Sequence, residues 1–305
     1  MSDHASNIRF RRGIDLAFAL GGALLLTLAL GVLVALVTDL FRSGAGRLSW
    51  DFLTSFPSRK PAEAGIKSAI AGTTLVMLVT TATAIPLGVA AGLYLEEYAR
   101  KNPLTAFIEI NIANLAGVPS IIWGLMALGL LVYQFGFGRS ILTAGLTLGL
   151  LVLPIVIVAT REAVRAIPQT IREASYACGA TRLQTVRHHI LPYSMGGILT
   201  GSIIALSRAI GETAPLITIG ALTFIAFLPP MPFSIQPDES RAGPFDWLSS
   251  EFTVLPIQMF NWVSRPDTRF QVNAAASGLV LLAITLCMNG VAIFLRYRLR
   301  RRIQW

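Results

Sequence analysis

The sequence predicts an all-α membrane protein with six transmembrane helices. Three observations carry this. Of 305 residues, 54% are hydrophobic and only 13% charged, whereas a soluble domain carries about 25% charged residues. The mean hydropathy is +0.64. The apolar residues fall into runs of the length, roughly 20 residues, that a bilayer core requires.

The runs are Ile14–Val37, Ala69–Leu93, Phe107–Phe135, Ser140–Thr160, Ser194–Leu228 and Val272–Leu295. The first follows Arg9, Arg11 and Arg12 in the manner of a signal peptide. It is too long for the apolar part of such a peptide and no clear small-residue cleavage site follows it, so it reads as a retained span. The third run is interrupted by Gly117-Val118-Pro119-Ser120 and the fifth by Pro215. Irregular backbone at membrane depth survives only where protein or a water-filled cavity covers it, so both breaks are expected to face inward.

The net charge of +9 does not indicate nucleic acid, because the cations cluster at the ends of apolar runs. Arginines concentrate before the first run, in the segment Arg161–Pro192 and in the tail from Arg296 to Arg302. Six spans put these three segments on one side, and the positive-inside rule makes that side cytoplasmic, with both termini there. The segment Pro229–Gln271, with Asp238, Glu239, Asp246, Glu251 and Asp267 against Arg241, Arg265 and Arg269, lies on the other side. The first outer segment, Thr38–Ser68, is anomalous in holding more basic than acidic residues. Within Pro229–Gln271, the stretch FDWLSSEFTVLPIQMFNWV is amphipathic. It reads as an interfacial helix anchored by Trp247 and Trp262, as a docking surface for an extracytoplasmic partner, or as both.

Cys178 and Cys287 show no paired spacing, so neither a disulfide framework nor a metal site is indicated. No Gly-x-x-x-x-Gly-Lys-Ser/Thr loop is present, so the chain has no nucleotide site of that kind. His188 and His189 sit at the edge of the fifth run and read as solvated polar residues rather than catalysts.

In the segment Arg161–Pro192, Glu173-Ala174-Ser175, Gly179 and Leu191-Pro192 resemble the EAA loop of ABC-importer permeases. That pattern runs Glu-Ala-Ala, three residues, Gly, nine residues, Ile, one residue, Leu-Pro. Ser175 stands for the last Ala and His189 for the Ile. The resemblance implies a short coupling helix seated in a groove of a cytoplasmic ATPase, with Glu173, Ala174, Gly179, Leu191 and Pro192 as coupling residues. Pro168 and Pro192 either isolate that helix as a unit or simply end helices.

Arg208, 15 residues after Tyr193 along the fifth run, sits about 22 Å along the helix from the inner face. A charge near mid-bilayer is a functional candidate by default. Glu212 follows at i+4 on the same face. The two either pair to stabilise the bundle or form an anion site in which Arg208 offers its donor fork and Glu212 orients it.

Four further strings resemble the PstA-type permeases of phosphate-specific ABC importers, of the type I importer class: Ser207-Arg208-Ala209-Ile210-Gly211-Glu212-Thr213-Ala214-Pro215-Leu216, Asn114 to Ile121, Gly65 to Thr73, and Tyr94-Leu95-Glu96-Glu97-Tyr98-Ala99. The resemblance runs from about Ala64 to Leu295. It implies a type I permease bundle moving inorganic phosphate past Arg208, Glu212, Thr213 and Ser120. The partners implied are a second, similar permease, two copies of an ATPase carrying Mg-ATP, and an extracytoplasmic phosphate-binding protein. No cofactor is expected on this chain. The organisation expected is residues 1–63 as tail, first helix and outer loop, 64–296 as the importer transmembrane domain, and 297–305 as a basic tail, in a bacterial inner membrane. One position departs from the pattern: Val158 stands where many members have Arg, and Arg161 lies one turn further on. Permeases for sulfate, molybdate or phosphonate, a phosphate-sensing membrane subunit, and an intramembrane enzyme are the alternatives; for the last, no His/Asp/Ser constellation lies within the spans.

Overall fold

The computed structural model describes residues 2–222, 224–230 and 245–301, and the side chains of 11–298 within them. Pro232, Pro237, Asp238, Glu239, Arg241 and Arg302 lie outside the described residues.

Among the described residues, twelve α-helices follow in order: α1 Ser2–Gly44, α2 Trp50–Thr54, α3 Lys67–Leu93, α4 Pro103–Leu115, α5 Ser120–Ala127, α6 Ile141–Arg165, α7 Gln169–Ala177, α8 Arg182–Thr185, α9 Leu191–Gly211, α10 Ala214–Thr218, α11 Leu255–Val263 and α12 Arg269–Arg301. Among the described residues, five helical stretches are long and apolar enough to cross a membrane, and six if α4 and the α5 stretch count as one broken span.

α6 is the centre of the bundle, and glycine spacing explains why. Gly88 and Gly92 of α3 lie against Val156 and Thr160 of α6, and Gly145 and Gly149 of α6 lie against Val79 and Thr83 of α3. A Cβ on Gly92 would stand 2.7 Å from that of Thr160. On the other flank, Gly197 and Gly201 of α9 accept Ala163 and Ala159. Each pair is four residues apart, so one stripe of each helix lets backbones approach, the packing that membrane helices use in place of a hydrophobic drive. Thr80 adds a hydrogen bond from its Oγ1 to Gly145 O at 3.2 Å. α1 is peripheral: Ile14 to Leu36 are exposed, and it meets α12 at its end, where Gly44 lies on Ala275 and Ala276.

The third run is broken as expected, turning by 105° between Leu115 and Ser120, at the Gly117–Pro119 break. Other expectations are corrected. The fourth helix ends at Arg165, a turn beyond Thr160, so Arg161 lies within it. The fifth run is displaced toward the N-terminus: one continuous helix runs Arg182–Gly211. The chain then breaks at Glu212 and Thr213, Pro215 lies in the first turn of α10, and residues 219–222 and 224–230 are non-helical. Pro192 ends nothing. A π-helical turn, Val186–Ile190, precedes it, and such a turn re-aims the carbonyls that a proline ring would otherwise meet.

The amphipathic outer stretch is not an interfacial helix anchored in headgroups. It is a short 3-10 turn, Asp246–Ser249, an extended stretch and α11, and it is driven into the bundle. Trp262 is fully buried and Trp247 nearly so. Trp262 lies between Phe52, at 6.1 Å between ring centres, and Phe270, at 6.4 Å. Ile141 N and Leu222 N donate to Ser250 O and Phe252 O, and Leu255 N donates to Thr73 Oγ1 at 2.9 Å.

Two of the anomalous cations of the first outer segment, Arg47 and Lys67, are engaged by the protein. Arg47 donates to Pro61 O, Ala62 O, Ala64 O and Asn273 Oδ1 and covers the Phe52 ring. Lys67 stands 5.2 Å from the Phe56 ring centre. Charges tied this way fasten a loop, and counting them as free topology signals misreads them.

Candidate functional site

Two groups of residues matter, one at the two helix breaks and one around α7. The first is the α9–α10 junction. Arg208 is in the last turn of α9, where a cation also complements the helix dipole. Its Nε donates to Glu212 Oε1 at 3.3 Å. Its side chain is 41% exposed, and its two Nη groups make no hydrogen bond among the described residues. Glu212 is the C-cap of α9 and Thr213 the N-cap of α10, without a side-chain cap bond. Neighbouring Ser207 donates to Asn289 Oδ1 at 2.7 Å, which holds this end of α9 on α12 and leaves Arg208 on another face.

Ser120 opens α5, on the far side of the other break. α5 and α10 pack directly: Gly124 lies against Thr218 Oγ1, and a Cβ there would stand 2.6 Å from Pro215 Cα. The two post-break helices thus sit together, while Gly117 and Pro119 of the first break are exposed. Ser120 is half-buried one turn from that contact, and Thr213 is two residues from it.

The second group is α7 and its surroundings. Pro168 is the N-cap of α7. The helix ends at Gly179, with φ +81°. Ala180 N donates to Ser175 O at 3.2 Å and Gly179 N to Tyr176 O at 2.9 Å, the paired bonds of a Schellman turn. Glu173, Ala174 and Gly179 are exposed together at this end of the molecule. Leu191 and Pro192 are not with them; they are half-buried inside the continuous helix, next to the core residue Ile190.

The other face of α7 is held by charge. Arg172 Nη2 and Nε donate to Glu97 Oε1 at 2.7 and 3.0 Å, and Nη1 and Nη2 donate to Ile167 O and Val164 O. Next along, Glu96 meets Arg165 at 3.0 Å and Arg161 at 3.7 Å, and Arg161 reaches Glu109 of α4 at 2.8 Å. Arg161 is therefore a buried partner of carboxylates. The sequence reading missed this cluster, although Glu96-Glu97 beside an arginine-rich segment was a visible signal.

The pattern of the family described as binding-protein-dependent transport system inner membrane component matches residues 84–305. The chain is 32% identical to the phosphate transport system permease protein PstA of Yersinia pestis, over 80% of this chain and 76% of that one. It is 30% identical to PstA 1 of Mycobacterium tuberculosis H37Rv, over 78% and 71%. With a probable ABC transporter permease, YqgI, of Bacillus subtilis it shares 34% identity over 63% of this chain and 65% of that one. Among solved structures it resembles the inward-facing MetNI methionine ABC transporter, with a TM-score of 0.55 at 17% identity over 78% of this chain and 97% of that one. That likeness speaks for the fold alone, a type I ABC importer permease bundle with a coupling helix. The architecture, the span count and these matches agree on a multi-pass permease, and the chain belongs to the family of inner membrane components of binding-protein-dependent transport systems.

Proposed function

We propose that this chain is the permease subunit of an ATP-driven importer that carries inorganic phosphate into the cytoplasm. The observation that carries the reading is Arg208, whose two Nη groups carry no hydrogen bond among the described residues at a helix break. A planar guanidinium matches two oxygens of a tetrahedral oxyanion at once. Glu212 holds Arg208 from one side and so sets its orientation. Thr213 and Ser120 supply neutral hydroxyls on the two packed post-break elements. The names of the PstA relatives favour phosphate over sulfate, molybdate or phosphonate.

In this reading the α7 end is cytoplasmic, with both termini there, and Glu173, Ala174 and Gly179 form the surface offered to an ATPase. Leu191 and Pro192 serve the coupling segment from within the helix. The working complex pairs this chain with a second permease, two ATPase copies carrying Mg-ATP and an extracytoplasmic phosphate-binding protein, and this chain itself binds no cofactor. Residues 1–63 add a peripheral helix to the transmembrane domain of 64–296, and 297–305 form a basic tail.

The test is phosphate uptake by the purified complex in proteoliposomes. Arg208→Gln is expected to abolish uptake while the complex assembles normally, and sulfate in excess is expected not to compete. Normal uptake by the variant removes the role given to Arg208, and competition by sulfate shifts the substrate to a broader oxyanion class.

A further inference from the structure

Two routes lead from α7 to the Arg208 junction. One is the continuous helix Arg182–Gly211. The other runs through charge. Glu96 and Glu97 are consecutive in the π-helical turn Tyr94–Tyr98 that ends the α3 stretch, so they diverge to different neighbours. Glu97 takes Arg172 of α7, with side chains 6% and 11% exposed. Glu96 takes Arg165 and Arg161 of α6, and Arg161 takes Glu109 of α4. α4 leads through the 105° bend into α5, which lies on α10 at Gly124 and Pro215. α10 follows directly on Glu212 and Thr213.

Resting on the importer reading, we propose that Arg172 and Glu97 are positioning residues that make α7 and the end of α3 one rigid body. Movement of the coupling helix then reaches α4, α5 and the substrate path through Glu96, Arg161 and Glu109. The bonding pattern supports rigidity. Arg172 binds Val164 O in the last turn of α6 and Ile167 O just beyond it with the same guanidinium that binds Glu97, so a shift of α7 alone breaks hydrogen bonds to α3 and α6 together. A buried, hydrogen-bonded pair adds little net stability over an apolar substitute of similar size, so its merit here lies in fixing geometry. Energetic coupling needs elements that move as units, and this network joins α3, α4, α6 and α7 into one.

The experiment uses the full complex in proteoliposomes with the double variant Glu97→Leu, Arg172→Met, which keeps volume and removes the charges. The wild-type ratio of phosphate taken up to ATP hydrolysed is the reference. The expected result is that the ATPase still co-purifies and hydrolyses ATP, while that ratio falls about tenfold. A second measurement does not depend on the substrate. Spin labels at Thr170→Cys and Tyr98→Cys, with Cys178→Ser and Cys287→Ser, report the distance between α7 and the end of α3. In the otherwise wild-type protein the distance is expected to stay fixed when Mg-ATP is added, and in the double variant to change or broaden. A wild-type uptake ratio in the double variant, or a labelled distance that shifts with Mg-ATP when the pair is intact, overturns the proposal. Absence of phosphate uptake by the wild-type complex would instead count against the importer reading, and the distances would still decide the coupling.

Discussion

Arg161 Nη2 stands 2.8 Å from Glu109 Oε1, which fastens the centre of the bundle to α4 just ahead of the sharp bend. Arg161 is 10% exposed and its Nε makes no hydrogen bond among the described residues, with Glu96 3.7 Å away, so the shorter contact to Glu109 carries most of its compensation. Glu109→Gln is expected to lower stability by about 1–3 kcal/mol, because the guanidinium is left buried with a weaker partner. Arg161→Met with Glu109→Leu is expected to recover most of that loss. Thermal unfolding of the purified protein in detergent measures both. Because Arg161 is occupied by carboxylates, Arg161→Gln is also expected to leave the phosphate concentration for half-maximal uptake unchanged; a large rise would return Arg161 to the substrate path.

Trp262→Ala is expected to cost about 3–5 kcal/mol, since a fully buried indole between two rings leaves a large cavity when removed. An indole lying at the headgroups would cost far less. Trp262→Phe is expected to be much milder: it keeps the ring stack and removes an Nε1 that has no partner among the described residues. Thermal shifts of the two variants decide between a core and an interfacial residue.

What the sequence made legible here is what local chemistry encodes. Gly117-Val118-Pro119 and Pro215 mark breaks because glycine and proline act on the backbone where they stand, and both breaks occur. The register of Glu173, Ala174 and Gly179 is equally local, and those residues emerge on one exposed surface. Hydropathy does not distinguish lipid from protein as the apolar surroundings, so the burial of Trp247 and Trp262 was not legible. Pro192 misleads for another reason: the π turn that accommodates it depends on packing around Ile190. The spacings Gly88/Gly92, Gly145/Gly149 and Gly197/Gly201 were readable as small-residue stripes, and their partners became identifiable only with three helices side by side.

Gly124→Val is expected to separate α5 from α10, since its side chain would meet the backbone of Pro215 as well as Thr218. Backbone cannot rotate away as a side chain can, so a cost of about 1–3 kcal/mol is expected. Gly129→Val, in the same stretch with nothing within 4 Å of its Cβ position, is the control and is expected to be near neutral. Both are read by thermal unfolding and by uptake. Equal behaviour of the two variants would show that α5 and α10 are not held together at Gly124.

Gly179 separates two explanations for a glycine in the coupling turn. One is space for a partner; the other is the left-handed backbone at φ +81°. Within this chain nothing lies within 4 Å of a Cβ at this position, so size alone creates no internal clash. Asn is larger than Ala but tolerates the left-handed region far better, whereas Ala pays about 1–2 kcal/mol there. The turn explanation therefore ranks Gly179→Asn above Gly179→Ala, and the space explanation ranks them the other way. The expected order is Asn above Ala, both in resistance of the 169–185 segment to limited proteolysis and in ATPase retained on co-purification. If Ala retains more ATPase than Asn while both segments resist proteolysis equally, the glycine is there to let the partner approach.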